Sequence, residues 1–198
     1  MFDPTIFDNL KVVLEGALYE LDADKRALVI GREDLVDLAG MSRAFRMRLR
    51  LPEGACVAEV ELTSGLLDFA AELQRLRLAE EAPGSRLQVS FRMPPDRVQA
   101  LPAIAAHMTE VWGEVAEVRH ERVSVLPVEA EQEDVSVRAG SEANAEEELA
   151  TNPFATGEYR VTLAFRGKID EDNIHDIELL LDHVVSTLDT MEEVEGSR

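Results

Sequence analysis

The alternation of apolar and polar residues along positions 45–62 predicts an antiparallel β-hairpin. Phe45–Leu51 reads FRMRLRL, in which apolar residues alternate with three arginines, and Cys56–Leu62 reads CVAEVEL. The four residues between them, PEGA, are typical of a turn. Because successive side chains of a strand point to opposite faces, both segments present one apolar face and one polar face.

One register of this hairpin satisfies both faces at once. If Leu51 pairs with Cys56, apolar side chains meet on one face and Arg48 lies opposite Glu59 on the other. A shift of one residue would turn every side chain to the wrong face, so we expect a well-defined register. Cross-strand pairing therefore explains the arginines, and a binding role is a second interpretation.

Apolar residues spaced three and four positions apart predict two long helices. They recur at 98, 101, 105, 108, 112 and 115, and again at 174, 177, 181, 184, 188 and 191. Each helix follows a segment with strand alternation, RLQVSFRM before the first and YRVTLAFR before the second. A shorter helix, SGLLDFAAELQRLRLAEE, follows the hairpin, and EVRHERVSVLP adds one more strand.

The first forty residues carry weaker patterns. Leu10–Leu21 fits a helical face, and it also fits a strand with a kink or bulge at Gly16. We predict the strand, as the first arm of a hairpin around the polar turn Asp22–Lys25. The segment REDLVDLAG, which ends at Gly40, predicts a short helix.

Together these patterns predict an α+β fold: a largely antiparallel sheet with two long helices and one shorter helix packed on one face. Residues 129–149 hold eight acids and one base, and almost no large apolar residue. Such a segment buries too little apolar surface to offset the entropy of ordering it. We therefore predict an α+β core over residues 1–127, an acidic mobile linker over 128–156, and a strand and C-terminal helix over 157–198 that complete the same domain.

The composition limits the classes of partner. Of 198 residues, 40 are acidic and 20 are basic, which gives a formal net charge of −20. This charge repels nucleic-acid backbones and anionic lipid surfaces, so we expect no nucleic-acid partner and no membrane partner. The sequence has no apolar run of about eighteen residues and no signal-peptide pattern, so it predicts a cytoplasmic protein.

The candidate chemical sites are weak. Two predicted helices share one spacing of a histidine and two acids: His107, Glu110, Glu114, and His175, Glu178, Asp182. On helical wheels these groups lie away from the apolar stripes, so they should face water. The single cysteine, Cys56, lies on the apolar face of its predicted strand. No phosphate loop, dinucleotide motif or hydrolase motif is present, and we predict no catalytic residue, no cofactor and no metal site.

The arginines of the sheet provide one candidate partner surface. If the strands share a sheet whose apolar face carries the helices, the other face gathers Arg46, Arg48, Arg50, Arg92, Arg160 and Arg166. In an acidic protein, such a face is suited to an acidic segment of a partner or of the chain itself. We therefore expect a non-catalytic interaction, adaptor or regulatory protein. The alternative is a binder or enzyme that uses a small molecule or a metal at a site without a known motif.

The C-terminal helix predicts one further contact. Its apolar stripe at 174–191 is widened by Leu180 and Val185, and a sheet needs only part of a helix face. Two explanations stay open. Either the middle helix covers the remainder within one chain, or two copies form a homodimer along this helix, with Asp182 and Asp189 at its rim.

Overall fold

The computed structural model describes residues 5–74, 83–95, 101–124 and 157–193. These residues form four helices and six strands: α1 (Ile6–Ala23), β1 (Leu28–Asp37), β2 (Ser42–Arg50), β3 (Val57–Ser64), α2 (Leu66–Gln74), β4 (Ser85–Met93), α3 (Leu101–Trp112), β5 (Ala116–Ser124), β6 (Gly157–Ile169) and α4 (Asp176–Glu193). A short 3-10 turn, Glu171–Asn173, precedes α4. The predicted linker over 128–156 lies outside the described residues.

The six strands form one sheet in the order β1-β2-β3-β4-β6-β5, and every neighbouring pair is antiparallel. One face of the sheet is apolar, and its side chains share a single core with α1, α3 and α4. The predicted α+β class is therefore confirmed, with four helices in the described residues instead of three.

The hairpin of β2 and β3 has the predicted register. Arg48 pairs with Glu59, and Met47 pairs with Val60 on the opposite face. Met47 and Val60 are completely buried. The apolar alternation and the charge alternation therefore specify the same pairing.

The predicted strand over Leu10–Leu21 is wrong, because this segment belongs to helix α1. The Thr5 hydroxyl caps the helix by accepting a hydrogen bond from the Asp8 N–H at 3.2 Å. The buried positions, which follow a helical period, are Phe7, Leu10, Leu14, Leu18 and Leu21. Gly16 is exposed inside the helix and makes no bulge. The apolar stripe decides the structure because the sheet and α4 lie against it.

The predicted helix in REDLVDLAG is also wrong, because most of this segment belongs to strand β1. β1 pairs with the side of β2 that β3 does not cover, and Glu33 lies opposite Arg46 in this ladder. Gly40 lies in the turn of this hairpin, where the Asp37 carboxylate accepts the Ala39 N–H at 2.9 Å. The first arm of the predicted hairpin around Asp22–Lys25 is the end of α1, and Lys25 leaves the helix with a φ of 58°.

Helix α4 packs inside its own chain. Its buried residues are Ile177, Leu181, Val184, Val185, Thr187, Leu188 and Met191. The helix contacts α1, α3 and β3. This packing accounts for most of the wide apolar stripe, whereas Leu179 remains 59% exposed.

Candidate functional site

A groove of about 410 Å³ opens between the C-terminal end of α3 and the first half of α4. Its floor consists of Leu87 from β4 together with Phe165 and Ile169 from β6. One wall is formed by Val111 and Trp112 of α3 and by Val115 in the turn after it. The opposite wall is formed by Asn173, Asp176, Ile177, Leu179, Leu180 and His183. The lining is therefore mainly apolar, with three polar side chains on one side only.

Trp112 is held firmly in the wall of the groove. Its Nε1–H donates to the Thr187 hydroxyl at 3.1 Å, and that hydroxyl donates to the His183 carbonyl at 2.8 Å. The indole ring lies edge-to-face with Phe165 at 6.1 Å and with His183 at 5.9 Å between ring centroids. Because a hydrogen bond and two ring contacts fix the indole, this part of the groove is preformed.

A tight turn after α3 sets the upper rim. The Gly113 N–H donates to the Thr109 carbonyl at 3.0 Å. A Cβ at Gly113 would lie 2.5 Å from the same oxygen, so only glycine fits without a shift. Arg166 donates to the Gly113 carbonyl at 3.5 Å and so meets the negative end of the helix. The turn leaves Val115 at the rim, where it is 52% exposed.

The polar end of the groove lies at the beginning of α4. Asn173 Nδ2 donates to the Asp176 carboxylate at 3.3 Å. Asp176 lies in the first turn of α4, where a carboxylate is favoured by the helix dipole. Further exposed acids stand next to lining residues in the chain: Glu110, Glu114, Asp172 and Glu178. The charged chain neighbours of the lining residues are therefore mostly acidic, and the bases among them are Arg86, Arg166 and Lys168 on the strands.

The arginines of the predicted partner face are engaged within the sheet. Arg46 binds Glu61 at 2.6 Å and Glu33 at 3.6 Å, and the hydrogen bond to Glu61 raises its pKa above the usual range. Arg48 pairs with Glu33 and with Glu59, the latter at 3.8 Å. These side chains form a lattice of alternating charges across β1, β2 and β3.

The remaining arginines of that set also have local partners. Arg92 binds Glu158 at 2.6 Å, and Arg160 pairs with the same carboxylate. Arg50 donates to the carbonyls of the loop that follows it, including that of Pro52 at 3.0 Å. Arg166 reaches the end of α3 and lies beside the groove. Binding of a partner at the arginine face stays a prediction.

The two sets of a histidine and two acids lie mostly in solvent. Glu110, Glu114, His175, Glu178 and Asp182 are exposed, and Asp182 pairs with Arg26 at 2.8 Å. His107 is half-buried. Across the described parts of the chain, no group of three or more His, Cys, Asp and Glu side chains could hold a metal ion.

One pair of titratable groups lies at the edge of the sheet. The Tyr159 hydroxyl and His120 Nδ1 are 2.7 Å apart, and the two rings are stacked. Burial lowers the pKa of His120 and raises the pKa of Tyr159. Among the described residues, desolvation is the cause of both pKa shifts, and no charged group contributes to them.

Comparisons of the chain with protein-family models, with curated proteins and with solved structures found no match. Among the described helices, none is long and apolar enough to cross a membrane.

The sequence pattern did not reveal this groove. Trp112 and Val115 both fit the apolar stripe of the middle helix, yet Val115 lies at an accessible rim. One signal was present, since Leu179 is a large apolar residue outside the main stripe of the last helix. A residue of this kind on an otherwise acidic helix face indicates a contact beyond the chain's own core.

Proposed function

We propose that the protein is a non-catalytic interaction module whose α3–α4 groove binds a segment of a partner protein that carries apolar and basic side chains. The supporting observation is an open, preformed apolar groove with accessible Val115 and Leu179 at its rims. Such grooves between helices accept the apolar face of an amphipathic helix.

The apolar lining supplies the affinity in this proposal. Burying one Leu-sized side chain in such a groove contributes about 1.5–3 kcal/mol. Two or three side chains placed at helical spacing would therefore offset the cost of ordering a short partner segment. The fixed position of Trp112 lowers that cost, because the groove itself needs little rearrangement.

In this proposal, the acidic residues around the groove determine which partner segments bind. Asp176 lines the groove, Glu110 lies on α3 next to the lining residue Val111, and Glu114 lies in the turn after α3 next to Val115. The chain as a whole has a formal charge of −20. Basic side chains on the partner would meet these carboxylates, whereas an acidic segment would be repelled.

A fluorescence titration tests the proposal, because Trp112 is the chain's sole tryptophan and lines the groove. The full chain is titrated with an amphipathic Leu/Lys peptide of about 18 residues, which makes five helical turns. Calorimetry measures the same binding independently. We expect saturable one-to-one binding, and a peptide of the same composition with a scrambled order should bind much more weakly.

Two matched variants locate the binding. Leu179→Lys places a charge at the rim and should weaken binding by about tenfold or more, which is about 1.4 kcal/mol. Val12→Lys changes a similar exposed residue on α1, 67% exposed and outside the groove, and should leave the affinity unchanged. Equal affinity of both variants, or no binding by the wild type, would contradict the proposal.

A small apolar ligand is the second candidate, because the groove volume of about 410 Å³ suits one. Small-molecule sites have volumes of roughly 300–1,000 Å³. Dodecylamine combines an alkyl chain with a cationic head and can be tested by the same Trp112 signal. Stoichiometric binding of the amine without binding of the peptide would favour this second function. A metal-dependent version of this second function finds no support, because the described residues contain no group of three or more His, Cys, Asp and Glu side chains that could hold a metal ion.

We also propose a homodimer through α4 and a cytoplasmic location. The part of α4 that such a dimer could use is its accessible side around Leu179. Since Asp182 and Asp189 would face like charges, association by this route should strengthen with salt. Light scattering at low and high ionic strength measures this, and a single-chain mass under both conditions would exclude the α4 dimer.

A further inference from the structure

Strand β5 forms one edge of the sheet. Within the described residues it pairs with β6 alone, and its residues from Arg119 to Ser124 are exposed. The outer edge of such a strand presents backbone N–H and C=O groups that can pair with another strand. The charges of the side chains on such an edge determine which partner strand it can accept.

The charges of β5 are complementary to themselves. The strand reads AEVRHERVS, with two glutamates and two arginines, so it is locally neutral in a chain of formal charge −20. Two copies can pair antiparallel about a twofold axis at His120. This register places Arg119 opposite the partner's Glu121, and by symmetry Glu121 opposite the partner's Arg119.

The same register uses the whole strand. His120 is the middle residue of the nine-residue strand Ala116–Ser124, so every residue finds a partner. Val118 lies opposite the partner's Arg122, and Glu117 lies opposite the partner's Val123. Each of these pairs joins a charged residue to an apolar one, so like charges do not face each other across the axis.

Neighbouring registers are worse. An axis at Arg119 or at Glu121 sets that residue against its own copy and brings two like charges together. An axis at Val118 pairs Glu117 with the partner's Arg119, but it uses only Ala116–His120 and loses almost half of the strand.

The opposite edge of the sheet, β1, lacks this symmetry. An axis near its centre places Arg32, Glu33 or Asp34 against its own copy. Arg32 and Asp34 are in addition bound by α1, through Glu15 at 2.6 Å and through Lys11. The two edges therefore differ, and only the β5 edge offers a self-complementary strand.

We propose that the protein forms a symmetric dimer by antiparallel pairing of β5 with β5 of a second copy, in the register set by the Arg119–Glu121 pairs. The dimer joins two six-stranded sheets into one continuous sheet. The site is separate from the α3–α4 groove, and the dimer does not depend on what the groove binds.

The first test measures mass by light scattering and sedimentation at about 100 μM chain, which detects dimers with micromolar Kd. At about 150 mM salt, contacting charges still interact over the roughly 8 Å screening length. We expect twice the chain mass of 22.0 kDa for the full chain. Arg119→Glu faces the partner's Glu121 and should raise the Kd at least about tenfold. The double variant Arg119→Glu with Glu121→Arg restores opposite charges and should restore the dimer.

Several outcomes would overturn the proposal. A wild type of single-chain mass at this concentration excludes the dimer. An Arg119→Glu variant with unchanged Kd excludes the register. A dimer that Leu179→Lys dissociates and Arg119→Glu leaves intact would place the contact on α4 instead. Melting temperatures of all variants confirm that each one folds.

The second test reports the register directly. His120 lies on the axis, so His120→Cys brings two thiols face to face, at the 4.5–5.5 Å Cα separation of antiparallel pairs that a disulfide can bridge. We expect a covalent dimer after mild oxidation. Arg122→Cys is the matched control, because it faces the partner's Val118 and should remain uncrosslinked. The native Cys56 is completely buried and should not interfere. Equal crosslinking of both variants, or none with His120→Cys while wild type dimerises, would reject this register.

Discussion

The polar face of the sheet and the α3–α4 groove differ in how their side chains are satisfied. On the polar face, guanidinium groups such as those of Arg46 and Arg48 meet carboxylates of neighbouring strands. In the groove, apolar side chains such as Val115 and Leu179 are left accessible. Charges can be neutralised by residues of the same sheet, whereas exposed apolar surface is removed from water only by packing. Because the arginines already have partners and, among the described residues, the accessible apolar side chains of the groove do not, we expect a binding partner at the groove.

The largest expected effect concerns Glu158, which is 7% exposed and pairs with both Arg92 and Arg160. Glu158→Gln removes one buried carboxylate and leaves two guanidinium groups close together. We expect unfolding to become easier by about 2 kcal/mol, less than the 3–5 kcal/mol of a fully buried pair because the arginines are partly exposed. Chemical denaturation measures this change.

Glu117→Gln is the control for that change. Its side chain is 69% exposed and contacts Arg119 at 3.4 Å, so the expected loss is below about 0.5 kcal/mol. Equal effects of the two substitutions would mean that the polar face is not held by its internal pairs.

A smaller effect is expected on the other side of the comparison, at Trp112. Trp112→Phe removes the donor to Thr187 and leaves that hydroxyl, 1% exposed, with one partner fewer. We expect a loss of about 1–2 kcal/mol. The same substitution with Thr187→Val removes both partners, and the double variant should lose less than the sum of the single losses. Strict additivity would show that the hydrogen bond does not hold the groove wall.

The smallest effect concerns Glu72. Unlike the carboxylates on the polar face of the sheet, it has acids as its charged neighbours. Burial raises the pKa of Glu72, the Ile6 N–H lowers it less, and the acids around it raise it further. A carboxyl whose folded pKa is above its unfolded value of 4.5 destabilises the ionised folded state. Glu72→Gln should therefore raise the melting temperature at pH 7. The gain should shrink as the pH falls through the raised pKa towards 4.5. A gain that is independent of pH would contradict this explanation.

The sequence predicted some elements well for a physical reason. In β2 and β3 the apolar period and the charge period agree, and only one register satisfies both. In Leu10–Leu21 the apolar residues fit a helix and a strand, and the choice depends on α4 and the sheet, which lie far away in the chain. Strand β1 was missed because its apolar residues Leu35 and Val36 are exposed at an edge, so no buried period marks it.

The candidate site was less predictable than the fold. The residues that line the groove come from four elements and the turns beside them, and their proximity depends on the strand order. Leu87 and Ile169 meet only because β4 and β6 are neighbours. No local period contains this information, and only the off-stripe position of Leu179 indicated the surface in advance.

The position of β6 between β4 and β5 also determines when the protein can fold. A ribosome releases β4 and β5 before β6, and residues 125–156 separate β5 from the strand that must enter between them. Among the described strands, β6 alone pairs with the inner edge of β4 and with β5, so β5 joins this sheet through β6. Pairing strands that lie far apart in the chain is slow, because loop-closure entropy is lost before the new contacts form. A nascent chain that stops before Gly157 therefore leaves the inner edge of β4 exposed to pairing with other strands, and β6 covers this edge once it is synthesised.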